Sequence, residues 1–485
     1  MTRLANKANH LRAVLRLGTM VIMMIQDLLT RFAALENIRR PFEDIWQDID
    51  HYVLAKPIKD KTKRVLFDNT AHVALQQFVS VLDSMLTPQG IHWHGLQYTS
   101  QEICSEYRDD IGLEQAVCRL FSLRYAPSSN FTAQQHQVYQ SLGAYGTAAL
   151  FVDHDAQGGL RYRHVPIHEL YLGQNHTGTI DTIFRSFTLS GDVICQQWNV
   201  LQELDKKQSY QIVHAIIPDQ EQGRGFVSVY FMPQQHYVLD TQRYRTMPYS
   251  IWRYQTLPGQ VYGTSPAMMV LADIKMLNEM EKTQLKALHQ QVTPPLMVPD
   301  DGMVRHITLT PGAINYGGLD MHGKSMIVPI STTGDLGLSE AKIEQKRQQI
   351  KEVFLVPYFQ MLAQAPGMTA VEVLQRAHEK STLLAPTLSR LQSQSLATMI
   401  LRELDLMMCA GQLDYVADLE DLCDITYQSP ANHMQQAAKA EGMLRLFDSI
   451  APILAHHPDY IEMIDIPMVI KQLAKGYGVP ASIFK

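Results

Sequence analysis

The sequence predicts an α+β protein, predominantly helical, and three observations carry that prediction. Apolar residues recur at three- and four-residue intervals through most of the chain, as helices with one buried face require. A central stretch of about a hundred residues shows β-branched and aromatic runs separated by turn residues instead. Two long segments without glycine or an interior break bracket a short island rich in glycine and proline.

Residues 1–150 read mainly helical. Phe42, Ile45, Trp46 and Ile49 form one amphipathic stripe and Ala71, Leu75, Phe78 and Leu82 another, and Thr87-Pro88-Gln89-Gly90 ends the second helix. From Ala148 to Tyr254 the period drops toward two. Leu150–Val152, Leu160–His164, Ile180–Leu189, Ile212–Ile217 and Phe226–Phe231 predict an antiparallel sheet, with turns at Asp155–Gly159 and Asn175–Gly178. Ser265 is a helix cap and Pro266 suits a first helical position, so a rod of roughly 40 Å is expected from there to Val292. Thr293-Pro294-Pro295 stops it.

The island from Pro294 to Gly337 contains a strand-like run, Met326–Ile330. A second helix is expected from Ser339 to Val356. After a break at Gln364–Gly367, the capping box Thr369-Ala-Val-Glu372 opens a third helix that runs to Ala410, with a kink at Pro386. A last helical unit spans Ser429 to Lys485. Along the first rod Asp273, Lys275, Glu279, Lys282 and Lys286 face solvent, while Met268, Leu271, Leu277 and Leu288 need partners. That arrangement predicts a protruding hairpin that packs against copies of the chain.

Composition narrows the function classes. The 485 residues suggest about three structural units, and 46% apolar content is enough for a substantial core. Charged residues make up only 19%, which fits a surface partly covered by other subunits. A net charge of -6 argues against coating nucleic acid by counterion release. Cys104, Cys118, Cys195, Cys409 and Cys423 are scattered, without disulfide-framework or zinc spacing, which suits a reducing cytosol. Arg12 and Arg16 before Leu17–Ile25 resemble the start of a signal peptide, but Gln26-Asp27 interrupt the run and no cleavage site follows promptly. No stretch reaches the ~18 apolar residues needed to span a bilayer.

Several motifs need weighing. Gly318 to Ser325 matches the phosphate-binding pattern G-x-x-x-x-G-K-[ST], which would make Lys324 the centre of an NTPase. That chemistry needs a helix directly after Ser325, whereas Met326-Ile-Val-Pro329 reads as a strand, so a turn between strands is the expectation. His92 and His94 have a spacing that metal sites use on a strand, but lack a third ligand, and exposed strand positions are expected. His456-His457 reads as a helix end. Cys104 and Cys118 are expected to be buried, and the carboxylate pairs Asp109-Asp110 and Asp300-Asp301 solvated. No catalytic residues, cofactor or metal site are expected. Lys342, Lys346, Arg347 and Lys351 make a basic band along the second helix, read by i, i+4 spacing as mostly one face and accompanied by Glu340, Glu344 and Glu352.

A set of ordered blocks resembles the head-to-tail connector (portal) proteins of short-tailed bacteriophages. They are Leu35-Glu-Asn-Ile-Arg-Arg through Trp46, Phe67-Asp-Asn-Thr-Ala71, Leu86-Thr-Pro with Trp93 and Leu96, and Tyr171-Leu-Gly-Gln-Asn175 with Gly178 and Arg185. Tyr262-Gly-Thr-Ser-Pro266, Asp273-Ile-Lys-Met-Leu-Asn278, Val292-Thr-Pro-Pro295, Pro311-Gly-Ala-Ile-Asn-Tyr316, Met368-Thr-Ala-Val-Glu-Val373 and Gly478-Val-Pro480 complete the set. The resemblance implies a homododecameric ring at one capsid vertex of the virion, assembled in the bacterial host cytoplasm. Double-stranded DNA would pass through it without sequence readout during packaging and ejection. Its implied partners are the terminase, a tail adaptor, and the major capsid and scaffolding proteins, with no membrane and no catalysis of its own. By position, 1–263 would be wing, helical over residues 1–150 and β-rich over residues 151–260. Residues 264–291 and 339–357 would be stem helices and 292–338 the clip. Then 358–368 would hold the tunnel loop, 369–411 a long kinked wing helix and 412–485 the crown, ending without an extended helical barrel. On that layout Lys342, Lys346, Arg347 and Lys351 would face the DNA channel, and Gln364, Ala365, Pro366, Gly367 and Met368 would form the tunnel loop. Pro294, Pro295, Asp300, Asp301, Asn315 and Tyr316 would form the docking surface of the clip. The alternatives to this reading are a P-loop NTPase using Gly318–Ser325 and a helical scaffold in a non-viral assembly.

Overall fold

The computed structural model describes residues 2–56, 65–90, 92–98, 110–155, 159–198, 204–219, 224–298, 336–357, 386–413 and 423–427, together with scattered residues in 307–330 and 442–473. Side chains are described from residue 24, and from 112 and 339 in the helices that open at 110 and 336. Within these residues the protein is α+β. Helix α1 (Thr2–Tyr52) and α2 (Thr70–Leu86) lead to strand β1 (His94–Tyr98), then α3 (Asp110–Arg124) and α4 (Phe131–Tyr145). Strands β2 (Thr147–His154), β3 (Leu160–Val165), β4 (Leu170–Gln174) and β5 (Ile180–Ser190) precede the short α5 (Gly191–Gln197). Next come β6 (Ser209–Pro218), β7 (Phe226–Met232), β8 (Tyr237–Tyr244) and β9 (Tyr249–Arg253).

Two antiparallel sheets, rather than the single sheet expected, occupy the centre: β3-β2-β9 and β4-β5-β6-β7-β8. Their split follows from burial. Thr147–Val152 is buried on both faces, whereas β5 and β8 are only half covered. Three sheet margins are sealed by side chains, which removes open templates for aggregation. Asn130 bonds both the amide and the carbonyl of Tyr162 on β3, and Gln134 accepts from His164 N. Arg39 and Tyr262 donate to Leu170 O on β4, and Tyr262 Oη also accepts from Leu172 N. The margin at β9 is closed by Ser395.

Helix α1 lies across both sheets. Ile25, Leu28, Phe32, Leu35, Arg39, Phe42, Trp46 and Ile49 alternate by three and four, a 3.5-residue seam that stays on one side of the helix. Ile25, Leu28, Phe32 and Leu35 pack on Phe184, Val213, Ala215, Val229 and Phe231; Trp46 and Ile49 enter the main core with α2, α4 and β2. Ile45, expected in the buried stripe, is exposed because it sits off this seam. The stripe of α2 is buried as expected.

Helix α6 (Pro266–Met269) and α7 (Leu271–Val292) replace the single expected rod, with a break at Val270. Ser265 caps as expected, its Oγ accepting from Met268 N at 2.9 Å and donating to Ala144 O at 2.7 Å. The chain passes so closely here that only glycine fits. A Cβ on Gly146, whose φ is +73°, would lie 2.3 Å from the Gly263 carbonyl, and one on Gly263 would lie 2.4 Å from that of Gly146. Strands β10 (Leu296–Met297) and β11 (Val328–Pro329) pair as a small hairpin, the second falling inside the expected strand-like run. Helix α8 (Leu336–Val353) starts three residues before Ser339 and ends three before Val356, where Leu355 adopts φ +61°. The last long helix is described from residue 386 onward, through a π-helical turn at Leu391–Leu396 into α9 (Ala397–Cys409). The kink expected at Pro386 needs the residues before it, which lie outside the described set. Strand β12 (Cys423–Tyr427) pairs with β1, and most of 429–485 also lies outside.

Candidate functional site

The α7–α8 pair holds the residues with expected roles. Ile274 and Leu277 of α7 and Ile343, Ile350 and Phe354 at and after α8 bury into the main core, which fixes the lower half of both helices. Around them runs a polar belt. Lys275 reaches Asp48 of α1 at 2.6 Å, and Asn278 Oδ1 accepts from Phe67 N at 2.8 Å. Lys346 meets Asp273 across the pair at 2.8 Å. Arg347 bonds Asp68 at 3.1 Å and Glu281, with Glu344 at 3.7 Å. Partial burial opposes the charge of Arg347, but bonding to Asp68 and the fields of Glu281 and Glu344 outweigh it and raise its pKa.

The four cations therefore do not form one band. In a continuous helix each residue turns about 100°, so Lys342 and Lys351, nine apart, stand on opposite sides. Lys346 and Arg347 flank the buried ridge of Ile343 and Ile350, and their charge is offset by neighbouring carboxylates. Lys342 and Lys351 have no ion pair among the described residues, and Lys342 is exposed. The solvent face between them carries Ala341, Glu344, Gln345, Gln348, Gln349 and Glu352, all exposed or partly so and mainly amide or acidic. The sequence hides this because i, i+4 spacing is satisfied within each pair, 342 with 346 and 347 with 351, and not between the pairs.

The upper half of α7 is only lightly covered in the single chain. Beyond Asn278 its residues are almost all half-buried or exposed, and Met276, Leu285, Leu288 and Val292 present large apolar side chains to solvent, Val292 at 80% exposure. Met297, Val328 and Ile330 on and beside the β10–β11 hairpin continue this apolar surface. Pro294 and Pro295 open the hairpin. Asp300, Asp301, Asn315, Tyr316 and the whole of 364–368 lie outside the described residues, as do Cys104, Asp109 and His456-His457.

Around Lys324 the described residues form no helix. Leu319 bridges Ser325, Ser325 Oγ donates to Ile327 O at 2.8 Å, and β11 follows. A strand stands where nucleotide chemistry needs the amide end of a helix, so the phosphate-loop reading loses its geometry.

One of the two histidines needs correcting. His94 is 1% exposed rather than a surface position, and its Nε2 lies 2.6 Å from Arg124 Nη1. Arginine only donates, so His94 Nε2 accepts and its proton sits on Nδ1. Burial, then the Arg124 charge, push its pKa well below the ordinary value and keep it neutral. Arg124 in turn bonds Glu403 from Nε at 2.9 Å and from Nη2, Tyr162 Oη donates to Glu403 at 2.6 Å, and Trp93 lies 4.7 Å beneath the guanidinium. Arg402, Thr246 and Arg245 converge on Asp405 close by on α9. This buried group ties α3, β1, β3 and α9 together. Residues 124 and 403 are too far apart in sequence for any spacing rule to pair them. His92 is exposed as expected, although it precedes β1, and its ring lies tilted 4.5 Å from that of Phe121. Cys118 is exposed, not buried, because it lies on the outer side of α3. Among the described residues no group of three metal-ligating side chains occurs, and no helix is long and apolar enough to cross a membrane.

Comparison with known proteins agrees with the ordered blocks. The family model for bacteriophage head to tail connecting protein matches residues 25–484. A probable portal protein of Bordetella phage BPP-1 is 25% identical over 404 residues, covering 77% of this chain and 72% of that protein. A portal protein of Salmonella phage epsilon15 is 23% identical over 497 residues, covering 94% and 88%.

Proposed function

The chain belongs to the bacteriophage head to tail connecting protein family, and from that premise we propose that it is the subunit of a closed ring at one vertex of the capsid, the conduit for genome packaging and ejection. The observation that carries the ring is the unpartnered apolar surface of upper α7 and the β10–β11 hairpin, on a helix pair whose base is fixed in the core. A subunit that exposes Met276, Leu285, Leu288 and Val292 gains stability when neighbours cover them, at roughly 25 cal/mol per Å² of apolar surface. Twelve subunits are the number the family reading gives.

On this reading α7 and α8 are the stem, 292–338 the clip, 364–368 the tunnel loop and 412–485 the crown. Residues 1–263 and 369–411 make the wing. Duplex DNA would slide along the α8 face, and its amide and carboxylate side chains limit phosphate contacts that would brake it. Of the basic residues, Lys342 and Lys351 supply the cationic positions with uncompensated charge, without base readout, while Lys346 and Arg347 contribute mainly to the polar belt. The clip, with Pro294, Pro295, Asp300, Asp301, Asn315 and Tyr316, would dock the terminase and the tail adaptor, and the wing the major capsid and scaffolding proteins. ATP hydrolysis would belong to the terminase.

Electron micrographs of the purified protein test the ring. Rings with an open centre are expected, and single globules at every concentration would contradict the proposal. Packaging by Lys342→Gln/Lys351→Gln particles tests the DNA contact: a changed packaging or ejection rate is expected, and unchanged rates would remove both residues from the channel.

A further inference from the structure

The helix that contains residues 386–409 is widened by the π-helical turn Leu391–Leu396. There the Ala397 amide donates to the Gln392 carbonyl five residues back, so the turn holds one residue more than an α-helical path would. Such turns are rare single-turn insertions in α-helices, concentrated at functional sites, and they bend the helix that carries them.

The surroundings here are specific. Ser250 Oγ donates to Ser395 O at 2.6 Å, and Ser395 Oγ donates to Ile251 O at 2.8 Å, a buried two-way exchange with the margin of β9. Arg253 reaches Gln394 Oε1 at 3.3 Å, and Tyr427 Oη on β12 donates to the same Gln392 carbonyl at 2.7 Å. The two flanks differ. Arg402, Glu403 and Asp405 bind α9 to buried partners on α3, β3 and Thr246. Residues 386–390 have one side-chain hydrogen bond to another element among the described residues, from Arg390 to Tyr254 O at 3.3 Å.

We propose that this π turn is a register reserve, latched by Ser395 on β9, that lets residues 386–394 advance by one helical position while Ala397–Cys409 stays anchored. One position is about 1.5 Å of translation with about 100° of rotation. What the shift would move rests on the connector reading, because residues 364–368 precede this half of the helix. The latch itself does not depend on that reading.

Hydrogen exchange followed by mass spectrometry on the full-length, assembled protein tests it, comparing wild type with Ser395→Ala and with a deletion of the exposed Ser393. Ser395→Ala is expected to speed exchange in 386–396 at least tenfold and leave 397–409 unchanged. The deletion, which removes the surplus residue, is expected to slow exchange in 386–396 at least tenfold. Equal speeding throughout 386–409, or no change in Ser395→Ala, overturns the latch; a deletion that loosens 386–396 overturns the reserve. If the deletion variant does not fold, the Ser395→Ala pattern decides alone. Ring formation by the wild type tests the connector reading separately.

Discussion

Two charged networks in this protein differ in one variable, access to water. Arg124 and Glu403 are fully enclosed, with Tyr162 and His94 completing their bonding, whereas Arg347, Lys346 and Lys275 hold their carboxylates at a half-open belt. The enclosed pair cannot lose one member without leaving a buried charge. The belt loses a cation more cheaply, because its cations are partly exposed and Asp68, though 7% exposed, keeps its hydrogen bonds from Thr70. The first network therefore behaves as buried structure and the second as a water-accessible belt that ties the α7–α8 pair to α1 and to Asp68 just before α2.

The sharpest way to break that contrast is Glu403→Ala. It leaves Arg124 buried and unpaired, and a loss of about 3–5 kcal/mol is expected in denaturant unfolding. Gly146→Ala comes next. A Cβ at positive φ against the Gly263 carbonyl combines backbone strain with overpacking, and should cost about 3 kcal/mol by the same measurement. Arg347→Gln should cost about 1 kcal/mol or less, shrinking further as salt is raised, because the guanidinium is one-third exposed. A Glu403→Ala loss no larger than that of Arg347→Gln would erase the distinction.

A pH-dependent effect separates a third network. Burial works against the Asp50 carboxylate, but hydrogen bonds from His168, Lys56 and Tyr145 outweigh it and hold its pKa at about 2, below the ordinary 3.8. A depressed carboxylate pKa gives stability that is complete above the unfolded value and is lost as pH falls from 3.8 toward 2. Asp50→Asn should flatten this acid limb of the unfolding midpoint while sparing Glu403-dependent stability. An acid limb equal in both proteins would show that Asp50 is not its source.

The periodic regions of the fold are legible in the sequence alone. The α2 stripe, the Ser265 cap and five of the strands follow from local patterns, and local patterns need no partner. The departures share a cause. The burial of His94, the π turn at 391–396 and the division into two sheets are set by residues far away along the chain. The basic band on α8 fails differently: its charges are visible, but their angles around the helix diverge beyond one turn. The family, by contrast, is readable from ordered blocks. One of them, Tyr262-Gly-Thr-Ser-Pro266, lies where backbone geometry at Gly263 leaves few residue choices.

Sedimentation velocity of the wild type beside a Met276→Glu/Leu288→Glu variant tests the central claim most directly. The account predicts a multi-subunit closed assembly for the wild type and single subunits for the variant, with the variant's own unfolding transition preserved because both side chains are exposed in the isolated chain. A wild type that sediments as one subunit at every concentration, or a variant that assembles as fully as the wild type, would contradict it.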